Sequence, residues 1–261
     1  MALADFGFLE LDAQRLEYRW IGPRADAGPT LVMLHEGLGS VAMWGDFPEK
    51  LQAATGCGIF VYSREGYGQS SPAKLPRPLT FMHMEAQQTL PKILDAIGFE
   101  RGLLVGHSDG ASIAAIYGGS RQDHRINGLV LVAPHFIVED VTSASIAEMR
   151  KAYDSTDLRS RLARYHADVD ATVHGWSNVW LKGDFRKWDL REFLAYIRVP
   201  VLIVQGKDDQ YGTVRQIEIA QQECYCPVEV ALLPDAKHVP QREAPEATLK
   251  AISEFVGRAL E

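Results

Sequence analysis

The chain is expected to be an α/β protein with a mostly parallel central sheet, helices on both faces and an inserted helical segment. Three observations lead there. Four short apolar runs rich in β-branched residues, at 30–34, 58–62, 102–106 and 128–132, each lead into a glycine-rich or polar turn, as strands buried on both faces of a parallel sheet do. Stretches with helical spacing, at 44–54, 81–97 and 111–117, lie between them and predict right-handed crossovers from one parallel strand to the next. The pentapeptide Gly106-His107-Ser108-Asp109-Gly110 stands at one of these strand-to-helix junctions.

Taken in order, residues 6–11 and 16–21 alternate apolar and polar side chains around Asp12-Ala13-Gln14, which predicts an amino-terminal antiparallel hairpin. The strand and helix alternation follows, and resumes near the carboxyl end with a strand at 200–205, a helix near 214–222, a strand at 228–233 and a last helix at 247–260. Residues 137–196 break the alternation, being rich in Arg, Asp, Ala and Trp with helical period and no convincing strand. They are expected to form a helical cap on a core of 1–136 and 197–261. The alternative is a set of surface helices of one domain.

Composition narrows the partners. With 27 Lys and Arg against 34 Asp and Glu, the formal charge of −7 repels nucleic acid and anionic lipid. The three cysteines, Cys57, Cys224 and Cys226, fit neither a disulfide framework nor the usual zinc spacing. The start, MALADFGFLELD, is acidic where a secretory leader needs a basic stretch and an apolar run. No segment approaches the roughly 18 to 20 apolar residues of a membrane span. A soluble, cytoplasmic protein acting on a small molecule is expected, with neither a nucleic-acid nor a membrane partner.

The pentapeptide carries chemistry because of its context. A glycine-flanked serine between strand and helix turns so tightly that Cβ atoms at the flanking positions would clash, and its hydroxyl stands out above the sheet. The helix amino terminus behind it places partial positive charge where an oxyanion forms. Such a serine needs a base, and the base an orienting carboxylate. The strand at 201–205 ends in Gly206-Lys207-Asp208-Asp209, and the strand at 228–233 is followed by Pro234-Asp235-Ala236-Lys237-His238. The order Ser, Asp, His therefore puts each at the carboxyl end of an expected strand. Of eight histidines, only His238 occupies that late loop.

These motifs resemble the α/β-hydrolase superfamily, and a serine esterase-like member of it, over nearly the whole chain. The resemblance selects Asp209 over Asp208, because the family's acid usually stands three residues after the glycine closing its strand. It implies a catalytic set of Ser108, Asp209 and His238. The segment Leu34-His35-Glu36-Gly37-Leu38-Gly39-Ser40 resembles the family's oxyanion loop, which implies donor amides at Gly37 and Asp109. Glu36 departs from the common glycine there. Ser63 and Glu65 depart from the Asp and Arg usual in the turn 63–70.

The implied activity is hydrolysis of carboxylic esters with small to medium acyl chains through an acyl-enzyme, with no metal and no organic cofactor. A lactonase, a thioesterase and a C–C bond hydrolase use the same residues, as does a hydroxynitrile lyase, and a non-catalytic ligand receptor uses the same fold. Trp176, Trp180 and Trp188 either line an acyl pocket or pack the cap onto the sheet.

Overall fold

The apolar runs form one eight-stranded sheet in a computed structural model that describes residues 3–261; residues 1–2 of the expected core lie outside the described residues. The strands are β1 (Phe6–Leu11), β2 (Gln14–Ile21), β3 (Thr30–Leu34), β4 (Gly58–Tyr62), β5 (Gly102–His107), β6 (Ile126–Val132), β7 (Val201–Gly206) and β8 (Val228–Leu233). Their order across the sheet is β1-β2-β4-β3-β5-β6-β7-β8. From β4 to β8 every pairing is parallel, and the hairpin β1–β2 adds antiparallel to β4.

Every residue of β3, β4, β5 and β7 is buried, as a sheet covered on both faces demands. Side chains along a strand alternate between those faces. On β3, Leu31 and Met33 join one apolar cluster and Val32 and Leu34 the other.

The helices are α1 (Phe47–Thr55), α2 (Phe81–Met84), α3 (Leu90–Ala96), α4 (Asp109–Ser120), α5 (Asp140–Ser155), α6 (Leu158–Leu162), α7 (Val169–Trp180), α8 (Arg191–Leu194), α9 (Arg215–Glu223), α10 (Pro240–Glu243) and α11 (Pro245–Leu260). Phe47 and Leu51 of α1 and Ile252, Phe255 and Val256 of α11 cover one face of the sheet. Ile113, Ala114 and Ile116 of α4, with Leu90, Ile93 and Leu94 of α3, cover the other. Among the described residues no helix is long and apolar enough to cross a membrane.

The single helix expected at 81–97 is interrupted by a π turn, Glu85–Thr89, between α2 and α3. Proline has no N–H to donate into the preceding turn, and Pro91 stands where that donor would meet the Gln87 carbonyl. The Arg121 guanidinium donates to that carbonyl instead, at 2.6 Å.

Between β6 and β7, residues 137–196 carry α5 to α8 and, as expected, no strand; an isolated bridge joins Ile137 to Asp189. The turn after β4 explains the departure at Ser63, while nothing in the structure explains that at Glu65. Glu17 on β2 supplies the missing carboxylate: its Oε2 accepts from Ser63 Oγ at 2.7 Å and from the Gln69 amide at 3.0 Å. The Ser63 hydroxyl in turn accepts from the Val41 amide at 2.8 Å.

Replacing Glu17 by Ala strips the Ser63 hydroxyl and the Gln69 amide of their acceptor. The expected loss is about 1–3 kcal/mol of unfolding free energy in urea denaturation. An unchanged midpoint would contradict this role for Glu17.

Candidate active site

The site begins where β5 meets α4. Ser108 sits between them at φ 53° and ψ −117°, a left-handed conformation that costs a non-glycine residue about 1–3 kcal/mol. The surroundings enforce it. A Cβ at Gly106 would lie 2.2 Å from the Gly110 carbonyl oxygen, and one at Gly110 would lie 2.0 Å from that of Leu34. The steric role expected of the two glycines is therefore met by named backbone atoms, and it lets α4 cross tightly over β3 and β5. The Ser108 amide donates to the Val132 carbonyl at 2.8 Å, and its carbonyl accepts from the amides of Ala111 and Ser112.

The loop after β8 brings His238 to the serine. Its Nε2 accepts from Ser108 Oγ at 2.9 Å, and its Nδ1 donates to Asp209, 2.8 Å from Oδ2 and 3.0 Å from Oδ1. Asp209, just past β7, also accepts from Gln205 Nε2 at 2.6 Å and from the amides of Tyr211 and Gly212 at 2.7 and 3.2 Å. Burial alone would raise the Asp209 carboxyl; the hydrogen bond and charge of His238 and the Tyr211 amide together hold it below the usual value. Its neighbour Asp208 is exposed and makes no bond to His238. The three side chains expected from chain order thus meet, with Ser108 and His238 only 5% and 8% exposed.

His107, which the sequence places in the elbow without a task, ties that elbow to the histidine loop. Its Nε2 donates to the His238 carbonyl at 2.7 Å, and its Nδ1 accepts from Gln241 Nε2 at 3.0 Å. Burial, then repulsion from His238, pushes its pKa down to about 3, so it holds this arrangement as a neutral ring.

The loop after β3 is held from behind. The buried Arg64 guanidinium donates to the carbonyls of His35 and Glu36, and the Glu36 carbonyl also accepts from His35 Nδ1 at 2.7 Å. The Arg64 amide fixes the other ring nitrogen of His35, at 3.1 Å. Because C=O and N–H point opposite ways across a trans peptide, pinning the Glu36 carbonyl turns the Gly37 amide to the other side, where Gly37 borders the cavity.

That cavity measures about 320 Å³. Ser108, His238, Glu36 and Asp109 line its polar side, and Met149, Leu162, Trp176 and Trp180 its apolar side. Trp176 touches both expected donor positions. Its indole N–H donates to Asp109 Oδ2 at 2.9 Å, and its ring leaves 2.3 Å to where a Gly37 Cβ would stand. A larger hollow of about 580 Å³, beside the β1–β2 turn and α2, includes none of Ser108, Asp209 and His238. Among the described residues no group of three or more His, Cys, Asp or Glu is placed to hold a metal ion.

Two carboxyls in this cavity sit above their ordinary values. Burial raises Glu36, against the pull of the Leu38 amide and Arg64. Burial pushes Asp109 up to about 6, against the pull of Arg64 and the Trp176 indole and with Glu36 repelling it. Between its ordinary 3.8 and about 6 the folded chain therefore binds more protons at Asp109 than the unfolded chain, and stability falls as pH rises through that window. Asp109→Asn cannot ionise, so it should gain on wild type by up to about 3 kcal/mol between pH 4 and 7, read from denaturation curves at both. A difference that stays constant with pH would contradict the buried, raised carboxyl.

Comparison with known proteins places this geometry in a family. The model describing the alpha/beta hydrolase fold matches residues 29–179. The 3-oxoadipate enol-lactonase 1 of Acinetobacter baylyi is 28% identical over 218 residues, covering 76% of this chain and 78% of that one. A 2-hydroxy-6-oxononadienedioate/2-hydroxy-6-oxononatrienedioate hydrolase of Pseudomonas putida is 26% identical over 229 residues, covering 77% of each. Among solved structures, the enol-lactonase from Burkholderia xenovorans superposes with a TM-score of 0.76 at 18% identity, over 96% of this chain and all of that one. A family match across more than half of the chain, on the sheet order and elbow described above, makes this protein a member of the alpha/beta hydrolase fold family.

Proposed function

We propose that this chain is a serine hydrolase that cleaves carboxylic esters of small to medium acyl chains through Ser108, His238 and Asp209. The observation that carries the reading is the unbroken hydrogen-bonded line from Ser108 Oγ through His238 to Asp209, with the serine at the edge of an apolar cavity. On this reading residues 137–196 are a cap, because α5, α6 and α7 supply Met149, Leu162, Trp176 and Trp180 to that cavity. We further propose that the enzyme is soluble and cytoplasmic.

The chemistry follows from the geometry. His238 Nε2 takes the hydroxyl proton as Ser108 Oγ attacks the acyl carbonyl carbon. The resulting oxyanion is met by the amides of Gly37 and Asp109, the latter at the amino terminus of α4. Asp209, already bonded to Nδ1, stabilises the imidazolium. His238 then gives its proton to the departing alcohol, leaving an acyl-enzyme. A water deprotonated by His238 attacks that ester, and the acid and free Ser108 are released. The reaction calls for neither metal nor organic cofactor.

A second reading, hydrolysis of a lactone or of a C–C bond by the same residues, draws on the relatives, which include an enol-lactonase and a 2-hydroxy-6-oxononadienedioate hydrolase. Turnover separates the two. Wild-type protein should hydrolyse p-nitrophenyl butanoate, and Ser108→Ala should lower kcat by at least about 10³-fold with the fold intact. Retention of more than a tenth of the activity in a folded Ser108→Ala protein would overturn the assignment. Turnover of lactones with none of p-nitrophenyl esters would favour the second reading.

A further inference from the structure

The sheet ends in two edges, and they are built differently. β8 is the last strand on one side, and among the described residues no further strand pairs with it. Its register against β7 runs unbroken from Val228 to Leu233. The Val201 amide donates to the Pro227 carbonyl at 2.9 Å, and the Lys207 amide to that of Leu233 at 2.8 Å. The N–H and C=O of one strand residue point to the same side, and that side alternates along the strand. Odd-numbered residues of β8 therefore bond to β7, while Val228, Val230 and Leu232 aim their backbone groups at the open edge.

Those outward residues are all apolar, and Val230 and Leu232 are 38% and 44% exposed. Ala231 and Leu233 pack into the apolar cluster beneath α11, so the outward three carry their side chains on the opposite face. An exposed edge strand is a template for another chain, and proteins blunt it with Lys, Pro, a bulge or a charge on the edge. The outward residues of β8 include none of these. At the other edge, the Trp20 amide donates to the Asp5 carbonyl at 2.6 Å, which makes Phe6, Phe8 and Glu10 the outward residues of β1. There Glu10 is exposed and stands 3.5 Å from Arg15, so that edge carries a charge and β8 does not.

We propose that β8 is a dimerisation edge, to which a second copy of this chain adds its own β8 antiparallel about a two-fold axis at Val230. This register uses all three outward residues. Val230 exchanges both backbone hydrogen bonds with Val230 of the second copy, and Val228 does so with Leu232 of the second copy. The facing side chains are then Val on Val and Val on Leu, apolar cross-strand pairs on one face. Such self-complementarity is what a two-fold interface requires, and it selects a second copy over an unrelated strand. Charge agrees. Glu229, the one charged residue of β8, stands on the α11 face with Arg258 at 2.5 Å. In this register it lies opposite Ala231 of the second copy, so no like charges oppose each other and the paired strands carry no uncompensated charge, although each chain carries −7. The surface includes none of Ser108, Asp209 and His238, so it stands independently of the hydrolase reading.

Sedimentation equilibrium of the full chain tests this. Wild type should sediment at twice 29.0 kDa. Val230→Lys, which sets two ammonium groups opposite each other at the axis, should sediment at the single-chain mass with its near-UV circular dichroism unchanged. A second variant, Val230→Cys with Cys224→Ser and Cys226→Ser, should form a disulfide-linked dimer when oxidised with copper phenanthroline. The Cα atoms of a bonded antiparallel pair lie about 5.5 Å apart, within disulfide reach. Wild type that stays monomeric up to about 100 μM, above the micromolar constants of weak specific interfaces, would overturn the proposal. A dimer that survives Val230→Lys would also overturn it, because the copies then meet elsewhere. Should Val230→Lys fail to fold, the cross-link decides: a covalent dimer on a non-reducing gel supports the edge, and a single-chain band overturns it.

Discussion

The close crossing of α4 over β3 and β5 is the constraint on which the rest of the site depends. Gly110 meets the Leu34 carbonyl, and Gly106 meets Gly110, at distances that admit no Cβ. That contact leaves Ser108 no relaxed conformation, and its left-handed backbone is held by hydrogen bonds to β6 and to the first turn of α4. Burial of the whole apolar length of α4, from Ala111 to Tyr117, offsets the local strain. Because the same crossing brings α4 against the end of β3, Glu36 and Gly37 come to border the same cavity as Ser108 and Asp109. The loop is then locked by Arg64 and His35, which hold its carbonyls.

Two aspartates in the site have opposite environments, and the contrast explains their different parts. Asp209 accepts from His238, Gln205 and two backbone amides, so its charge is compensated and it is kept ionised beside the histidine. Asp109 has the Trp176 indole and the Arg64 charge to favour its anion, but burial, with Glu36 repelling it, outweighs them and lifts its carboxyl to about 6. On the proposed reading the first is a fixed counter-charge, and the second supplies its backbone amide to the oxyanion. Trp176 of α7 closes over the site at this point, bonded to Asp109 and packed on Gly37.

Much of the fold is legible because it is local. The runs expected at 30–34, 58–62 and 228–233 are the strands β3, β4 and β8 to the residue, since β-branched apolar runs between turn residues carry their own boundaries. The elbow is legible from its place between an apolar run and a small-residue helix, whereas the preference for Asp209 over Asp208 comes from the family resemblance and not from the local pattern. What stays hidden is non-local. Glu17 answers for the Ser63 departure from 46 residues away, and nothing in the turn itself announces it. Arg64 lies in the turn 63–70, and its hold on the loop after β3 depends on β3 and β4 being neighbours. Lining and packing are not alternatives for Trp176 and Trp180, which are buried and line the cavity as well, whereas Trp188 stacks on Phe185 and does not line it. The π turn was readable in principle, because Pro91 lies inside the helical pattern.

The central claim is that Ser108 is a nucleophile activated by His238, and intact-mass spectrometry after exposure to a fluorophosphonate tests it most directly. The account predicts one adduct per chain, located on Ser108 by peptide mapping, absent from Ser108→Ala and strongly slowed in His238→Ala. An unlabelled wild-type protein, or an adduct that persists in Ser108→Ala, would contradict it.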